Sequence, residues 1–294
     1  MADEYVYMKK STWTGICDNI RTKAGTTSTM TASEAETAIS GISTGSAEDR
    51  LNGRLDGSAE GYVTTNAMEI VPYAMYQCTN ITGVTAGNAT TIGESAFEGC
   101  SALASISLPE AKHILESAFS FCGSLASISL PKAESIGESA FEESALESIS
   151  LPEAEYIGKR AFGFCRSLAS ISLPKVDRIT TGYIWEECLS ITKIELPVCS
   201  NIDAEGIFTN TKNLSAICIG TALDSVCTLT STLAFNFSAI DHQAGETFSA
   251  TDTDRTYSAT GYIYVPDNLV DAYKTATNWS VYADRIKGIS TLTS

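Results

Sequence analysis

The sequence predicts an α/β repeat solenoid: stacked coils sharing a narrow parallel sheet, with short helices before them and a helical cap after. Three observations carry that expectation. Counted from Ile70, one 22-residue pattern is written about seven times, starting at Ile70, Ile92, Ile114, Ile136, Ile157, Ile179 and Ile202. The starts lie 22, 22, 22, 21, 22 and 23 residues apart. A fixed period of this length marks stacked units, none of which can bury its apolar face alone. Each copy holds two short apolar segments, and an aromatic-rich pattern of a different kind follows the last copy.

Residues 1–45 precede the repeats and read as a helical attachment segment. Trp13, Ile16, Cys17 and Ile20 sit at i, i+3, i+4 and i+7, one face of a helix beginning near Ser11. Arg21 and Lys23 suit its last turn, and Gly25 its C-cap. Thr31 to Glu34 reads as a capping box ahead of Ala35, Ala38, Ile39 and Ile42. Two helices with so few apolar residues cannot stand alone. They must pack on the solenoid, on another copy or on a different protein. Residues 46–69, rich in Ser, Gly and charge, read as a linker and first edge.

Residues 70–219 hold the coils. The first segment of each copy is helical or turn-like, since Ile92, Ala96 and Phe97 at i, i+4 and i+5 give one apolar face. The second reads as a strand with Leu103, Ile106 and Leu108 inward, Ser105 and Ser107 outward, and Pro109 closing it. Seven coils at roughly 4.8 Å per coil would make a face of about 30 Å.

Cys78, Cys100, Cys122, Cys165 and Cys188 share one repeat slot. Residues tied to one slot behave as small buried hydrophobes. Stacked disulfides or a metal are the competing reading, although no tight Cys/His pair is present. After each strand proline the signs alternate along Glu110, Lys132, Glu153 and Lys175, and Lys112 faces Glu134 two residues on. The first column reads as a ladder of surface ion pairs, each worth under about 1 kcal/mol, with a functional charge stripe as the alternative. Glu94, Glu116 and Glu138 form a like-charged column.

The pattern Ile-Gly-x-x-Ala-Phe-x-x-Cys-x-x-Leu-x-x-Ile-x-Leu-Pro across residues 70–219 resembles the BspA-like leucine-rich repeat family. The resemblance implies a solenoid serving as a binding surface, as in adhesins, and no defining enzyme activity. Residues 13–42 combine a helix ending in Ile-Arg-x-Lys-x-Gly, a Thr/Ser stretch, Met-Thr-x-x-Glu and Ala-Ile-x-Gly-Ile. They are similar to a segment of phage and prophage tail proteins. That similarity implies docking to a virion tail protein through residues 1–45, with the solenoid presented outward to a bacterial surface protein or glycan.

The outward strand face is mostly serine, which offers little anchoring energy compared with Trp, Tyr and Arg. Candidate binding residues are Tyr156 and Arg178 in the inter-coil turns, with Tyr183, Trp185 and Lys193 near the fifth and sixth coils. Trp185 has a packing role as its alternative. The period fails over residues 220–261, a segment carrying Phe235, Phe237, Phe248 and Tyr257 that reads as an extra hairpin or a binding loop. Thr251 to Arg255 faintly matches a calcium loop but lacks its Gly and closing Glu. Residues 262–294 give a strand, a proline stop and a helical cap with Leu269, Val270 and Tyr273 on one face and Trp279, Tyr282 and Ile286 on the next. Similar endings accompany BspA-like repeats.

Bulk properties narrow the function classes. The net charge of −16, from 35 acidic and 19 basic residues, disfavours nucleic acid and anionic membranes as partners. No apolar run nears the roughly 18 residues that span a bilayer. The opening MADEYVYMKKSTW lacks the plan of a secretory signal. This suggests assembly in the cytoplasm, which agrees with the virion that the tail-protein similarity implies; a cell surface is the alternative. There is no GxSxG, P-loop, GxGxxG or HExxH, and His113 and His242 stand apart from any nucleophile motif. The expectation is a non-enzymatic binding protein without a cofactor, open to homo-oligomerisation. The alternative is a BspA-like surface adhesin for host or matrix proteins.

Overall fold

A computed structural model describes residues 42–43, 60–65, 67–209, 211, 213–232, 234 and 261–292. The predicted helices of residues 1–45, with Trp13, Ile16 and Ile20, lie outside the described residues except at Ile42, which stands in a strand; so do Phe235, Phe237, Phe248 and Tyr257 of the expected hairpin or loop and the calcium-like Thr251 to Arg255. No helix among the described residues is long and apolar enough to cross a membrane.

The chain winds into a parallel β-solenoid of about nine turns. Two columns of short strands run along it rather than one. The front column contains Glu60–Thr65, Asn80–Ala86, Ser105–Ser107, Ser127–Ser129, Ser148–Ser150, Ser170–Ser172, Lys193–Leu196, Ala216–Ile219, Tyr262–Val265 and Ile286–Gly288. Its hydrogen-bonded ladder is continuous through Ser105–Ser107, through the next two strands, and again from Ser170–Ser172 onward. The back column contains two-residue bridges: Glu69–Ile70, Thr91–Ile92, His113–Ile114, Ser135–Ile136 and Tyr156–Ile157, then Arg178–Ile179, Asn201–Ile202 and Thr228–Leu229. The ladder thus reaches outside the seven written repeats at both ends. Ile42–Ser43 pairs antiparallel with Glu60–Thr65, and Ile286–Gly288 extends the far end in parallel.

The front strands obey the alternation their sequence demands. Ser105, Ser107, Ser127 and Ser129 are exposed, Leu103 and Leu108 are buried, and Ile106 is half-buried. Inside, identical slots stack on one another. Phe97, Phe119, Phe141 and Phe162 lie ring on ring, with centroids 5.2, 5.3 and 5.7 Å apart and planes within 8° of parallel. The five predicted cysteines of the repeat slot are fully buried thiols. Cys100, Cys122, Cys165 and Cys188 each donate an S–H to a carbonyl of the preceding coil, those of Met75, Phe97, Phe141 and Phe162. Burial pushes the Cys122 and Cys165 thiols up to about 12. In the short fourth coil Ser144 fills the slot, and its hydroxyl meets the Cys165 thiol at 3.3 Å.

The first segment of each copy is turn-like rather than helical, because half of its N–H groups go elsewhere. Within the second coil Ala96, Glu98 and Cys100 donate back three residues, closing successive tight turns. The intervening Ser95, Phe97 and Gly99 donate instead to Glu116, Ala118 and Ser120 of the next coil, at 2.9 Å each. The path needs two left-handed residues per coil. Tyr73, Ser95, Ser117, Ser139, Arg160 and Tyr183 fill the first slot, and Gln77, Gly99, Phe121, Glu143, Phe164 and Glu187 the second, with φ between +51° and +73°.

At the far end the cap is a short α-helix, Val270–Thr275, followed by a 3-10 turn and the added strand. Tyr273, Trp279, Tyr282 and Ile286 are buried as their spacing predicts, with Leu269 and Val270 packed beside them. The predicted charge ladder resolves into separate pairs: Glu110 with Lys132 at 2.6 Å, Glu153 with Lys175, and Lys112 with Glu134 at 2.7 Å.

Candidate binding face

The turns present a face of their own, and its aromatic residues occupy the left-handed slots. Tyr73, Phe121, Phe164 and Tyr183 all have φ near +58°. A positive φ is a real cost for a bulky L-residue, roughly 1–2 kcal/mol. Gly99 and Gly206 fill equivalent positions in other coils, so the fold admits the unstrained choice. Phe121 is nonetheless 47% exposed and Tyr183 38%. Phe121 and Tyr183 thus hold apolar surface outward at slots that the coil path requires to be left-handed.

Charged groups fix these rings. Arg160 lies 5.6 Å from the centre of the Tyr183 ring and donates through Nε to Glu186 at 2.9 Å. Arg166 lies 5.9 Å from the Phe164 ring. At the other end the Tyr73 hydroxyl donates to Glu94, and that bond pushes its pKa up to about 12. Tyr76 meets Tyr73 edge-on at 5.8 Å. Lys159 and Glu138, 3.8 Å apart, lie between these ends.

The sequence candidates fall on three faces. Tyr183 belongs to the turn face. Tyr156, 47% exposed, and the exposed Arg178 fill one slot of the back column in successive coils. Lys193 stands on the front strand, paired with Glu195 at 2.7 Å. Trp185 is not a surface residue. It is fully buried, stacked on Phe208, with its indole N–H unpartnered. The 23-residue coil shifts it into the slot held by phenylalanine elsewhere. Sequence reasoning missed Tyr73, Phe121 and Phe164. Their signal was a repeat slot shared with a glycine, Gly206 for Tyr73 and Gly99 for Phe121 and Phe164. Among the described residues no group of three or more His, Cys, Asp or Glu is placed to hold a metal ion.

A family model described as the BspA type leucine-rich repeat region, in six copies, matches residues 68–154 and 134–242, together more than half of the chain. Among solved structures, a leucine-rich repeat protein of T. pallidum is 28% identical, with 53% of this chain and 84% of that one covered and a TM-score of 0.46. One from Bacteroides ovatus is 25% identical, covering 57% and 56%, with a TM-score of 0.38. A leucine rich cell surface protein of Faecalibacterium prausnitzii is 19% identical, covering 51% and 56%, with a TM-score of 0.31. The chain thus spans little more than half the length of the last two. No curated protein matches it.

Proposed function

The chain belongs to the BspA-type leucine-rich repeat family, and from that membership we propose a non-enzymatic binding protein whose turn face carries recognition. The observation behind this reading is the set of exposed aromatics at left-handed slots, Phe121 and Tyr183 foremost. Rigid aromatic rings flanked by Arg160 and Arg166 are the side chains that supply most binding energy at protein surfaces. The serine-lined front face supplies little.

Two settings suit such a face. In the first, residues 1–45 dock to a virion tail protein and the solenoid meets a bacterial surface protein or glycan, as the tail-like sequence of residues 13–42 suggests. In the second, the chain is a surface adhesin for host or matrix proteins, as the repeats suggest. The test uses fluorescently labelled full-length chain titrated onto intact gut-bacterial cells and onto immobilised fibronectin and fibrinogen. Saturable binding to cells alone supports the first setting, and to matrix proteins alone the second. In either case Phe121→Ser with Tyr183→Ser should weaken binding at least tenfold. Binding that survives both substitutions rules out the turn face, and no binding to any of these surfaces overturns the reading.

A further inference from the structure

Two cysteines outside the repeat slot stand in a different relationship from the rest. The Thr228 N–H donates to the Ser200 carbonyl at 2.8 Å. The residues immediately before these, Cys227 and Cys199, therefore lie side by side on successive coils. The Cys199 thiol donates to the Asn201 carbonyl at 3.5 Å and the Cys227 thiol to the Thr228 carbonyl at 3.6 Å, each within its own coil, and both residues are fully buried. Neighbouring parallel strands are separated by roughly 4.8 Å, inside the roughly 4.4–6.8 Å that a disulfide requires between Cα atoms. Four of the repeat-slot thiols instead donate to backbone carbonyls of the coil before.

We propose that Cys199 and Cys227 are a disulfide site that clamps the last coils to the cap. The cap is anchored at this point. The Cys227 N–H donates to the Tyr273 hydroxyl at 2.9 Å, and its carbonyl accepts from Trp279 Nε1 at 2.6 Å. The same Tyr273 hydroxyl lies against Gly220, where an added Cβ would approach it to 2.9 Å and the Cys199 carbonyl to 3.4 Å. A cross-link between Cys199 and Cys227 would hold coil, coil and cap as one body.

The chemistry is thiol–disulfide exchange with a small-molecule disulfide of the glutathione type. The Cys199 thiolate attacks one sulfur of that disulfide, forming a mixed disulfide and expelling one thiolate. The Cys227 thiolate then attacks the Cys199 sulfur and expels the second. The two protons lost by the protein end on the two released thiols. The protein loses two electrons and the small disulfide gains them. The balance is the same with the two cysteines exchanged. Burial requires the cap to open locally before exchange.

The test incubates the purified full-length chain with oxidised or reduced glutathione, then denatures, alkylates and maps it by mass. Of the nine cysteines, seven should alkylate after oxidation and all nine after reduction. One cross-linked peptide pair should join Cys199 to Cys227. The oxidised form should melt roughly 5 °C or more above the reduced one, a difference that Cys199→Ser or Cys227→Ser abolishes. If a serine variant fails to fold, Cys199→Ala, which adds no buried hydroxyl, replaces it. Nine alkylated cysteines after oxidation, or a cross-link that persists without Cys199, would overturn the proposal. Neither outcome touches the turn face or its binding role.

Discussion

Trp185 lies face to face with Phe208 of the next coil, ring centroids 5.3 Å apart and planes 9° from parallel. An indole in the phenylalanine slot keeps the aromatic column going where the repeat becomes irregular. Its N–H gains nothing there, because the stack surrounds it with apolar atoms and no acceptor reaches it.

Removing that ring should therefore cost stability and not recognition. Trp185→Ala is expected to lose about 3–5 kcal/mol, whereas Trp185→Phe, which also deletes the unpartnered donor, should stay within about 1.5 kcal/mol of the parent. Urea unfolding of the three proteins measures both. Equal losses would mean that the indole N–H has a partner after all.

The left-handed slots predict opposite signs for two substitutions. Ser117, at φ +53°, should tolerate Val poorly, with a loss of about 1–2 kcal/mol, because branching at Cβ worsens the clash. Phe121→Gly should raise the thermal midpoint by relieving φ +58°, while ligand binding falls. Calorimetry and a binding titration on the same sample separate the two effects. A drop in midpoint for Phe121→Gly would make that ring a packing residue.

Close approach of backbones makes a third position sensitive. A Cβ at Gly158 would come within 2.5 Å of the Glu138 nitrogen and the Gly137 carbonyl carbon in the adjacent coil. Neither backbone atom can rotate away. Gly158→Ala should cost about 1–3 kcal/mol as the coils are forced apart, read from its urea midpoint. An unchanged midpoint would show that the coils slide freely.

Lys112 and Glu134 predict a pH window. The hydrogen bond from Lys112 holds the Glu134 carboxyl below its ordinary value of 4.5, and the same bond holds the Lys112 ammonium above 10.5. The lowered acid contributes stability that is present above 4.5 and lost as pH falls through the folded-state value. The raised base contributes stability that is present below 10.5 and lost as pH rises through its folded-state value. The midpoint difference between parent and Glu134→Gln should thus be flat between those limits, vanish beyond both, and shrink in salt, since both groups are exposed. A difference that persists at pH 2 would assign the effect to packing.

Much of this fold was legible because identical slots must stack. Spacing alone puts Cys78 to Cys188 inside and sets Glu110 against Lys132. The turn path was not legible. Ile92, Ala96 and Phe97 satisfy a helical face, and nothing local reveals that the Phe97 N–H is claimed by Ala118, 21 residues away. Serine at positions 95, 117 and 139 also hides the left-handed conformation that glycine would have signalled. The binding face suffered from the same blindness. Phe121 goes unmarked in the repeat pattern, and Trp185 takes its packing alternative because a one-residue change in coil length moves a side chain across the wall.

The alternating turns have an electrostatic consequence along the whole stack. The peptide joining Glu94 to Ser95 accepts from Tyr73 on one side and donates to Glu116 on the other. The peptide from Glu116 to Ser117 does the same toward Glu138. Alternate peptide planes in the turns are thus aligned head to tail along the axis, as in a helix but built from residues about 22 apart: one file runs from Tyr73 to Lys159, and two, through Phe97 and Gly99, run on to Ile207 and Thr209. Such files polarise one another and sum to a macrodipole, with the N–H pole toward the cap and the carbonyl pole toward Tyr73. The solenoid is electrically directional, whatever charges its side chains carry.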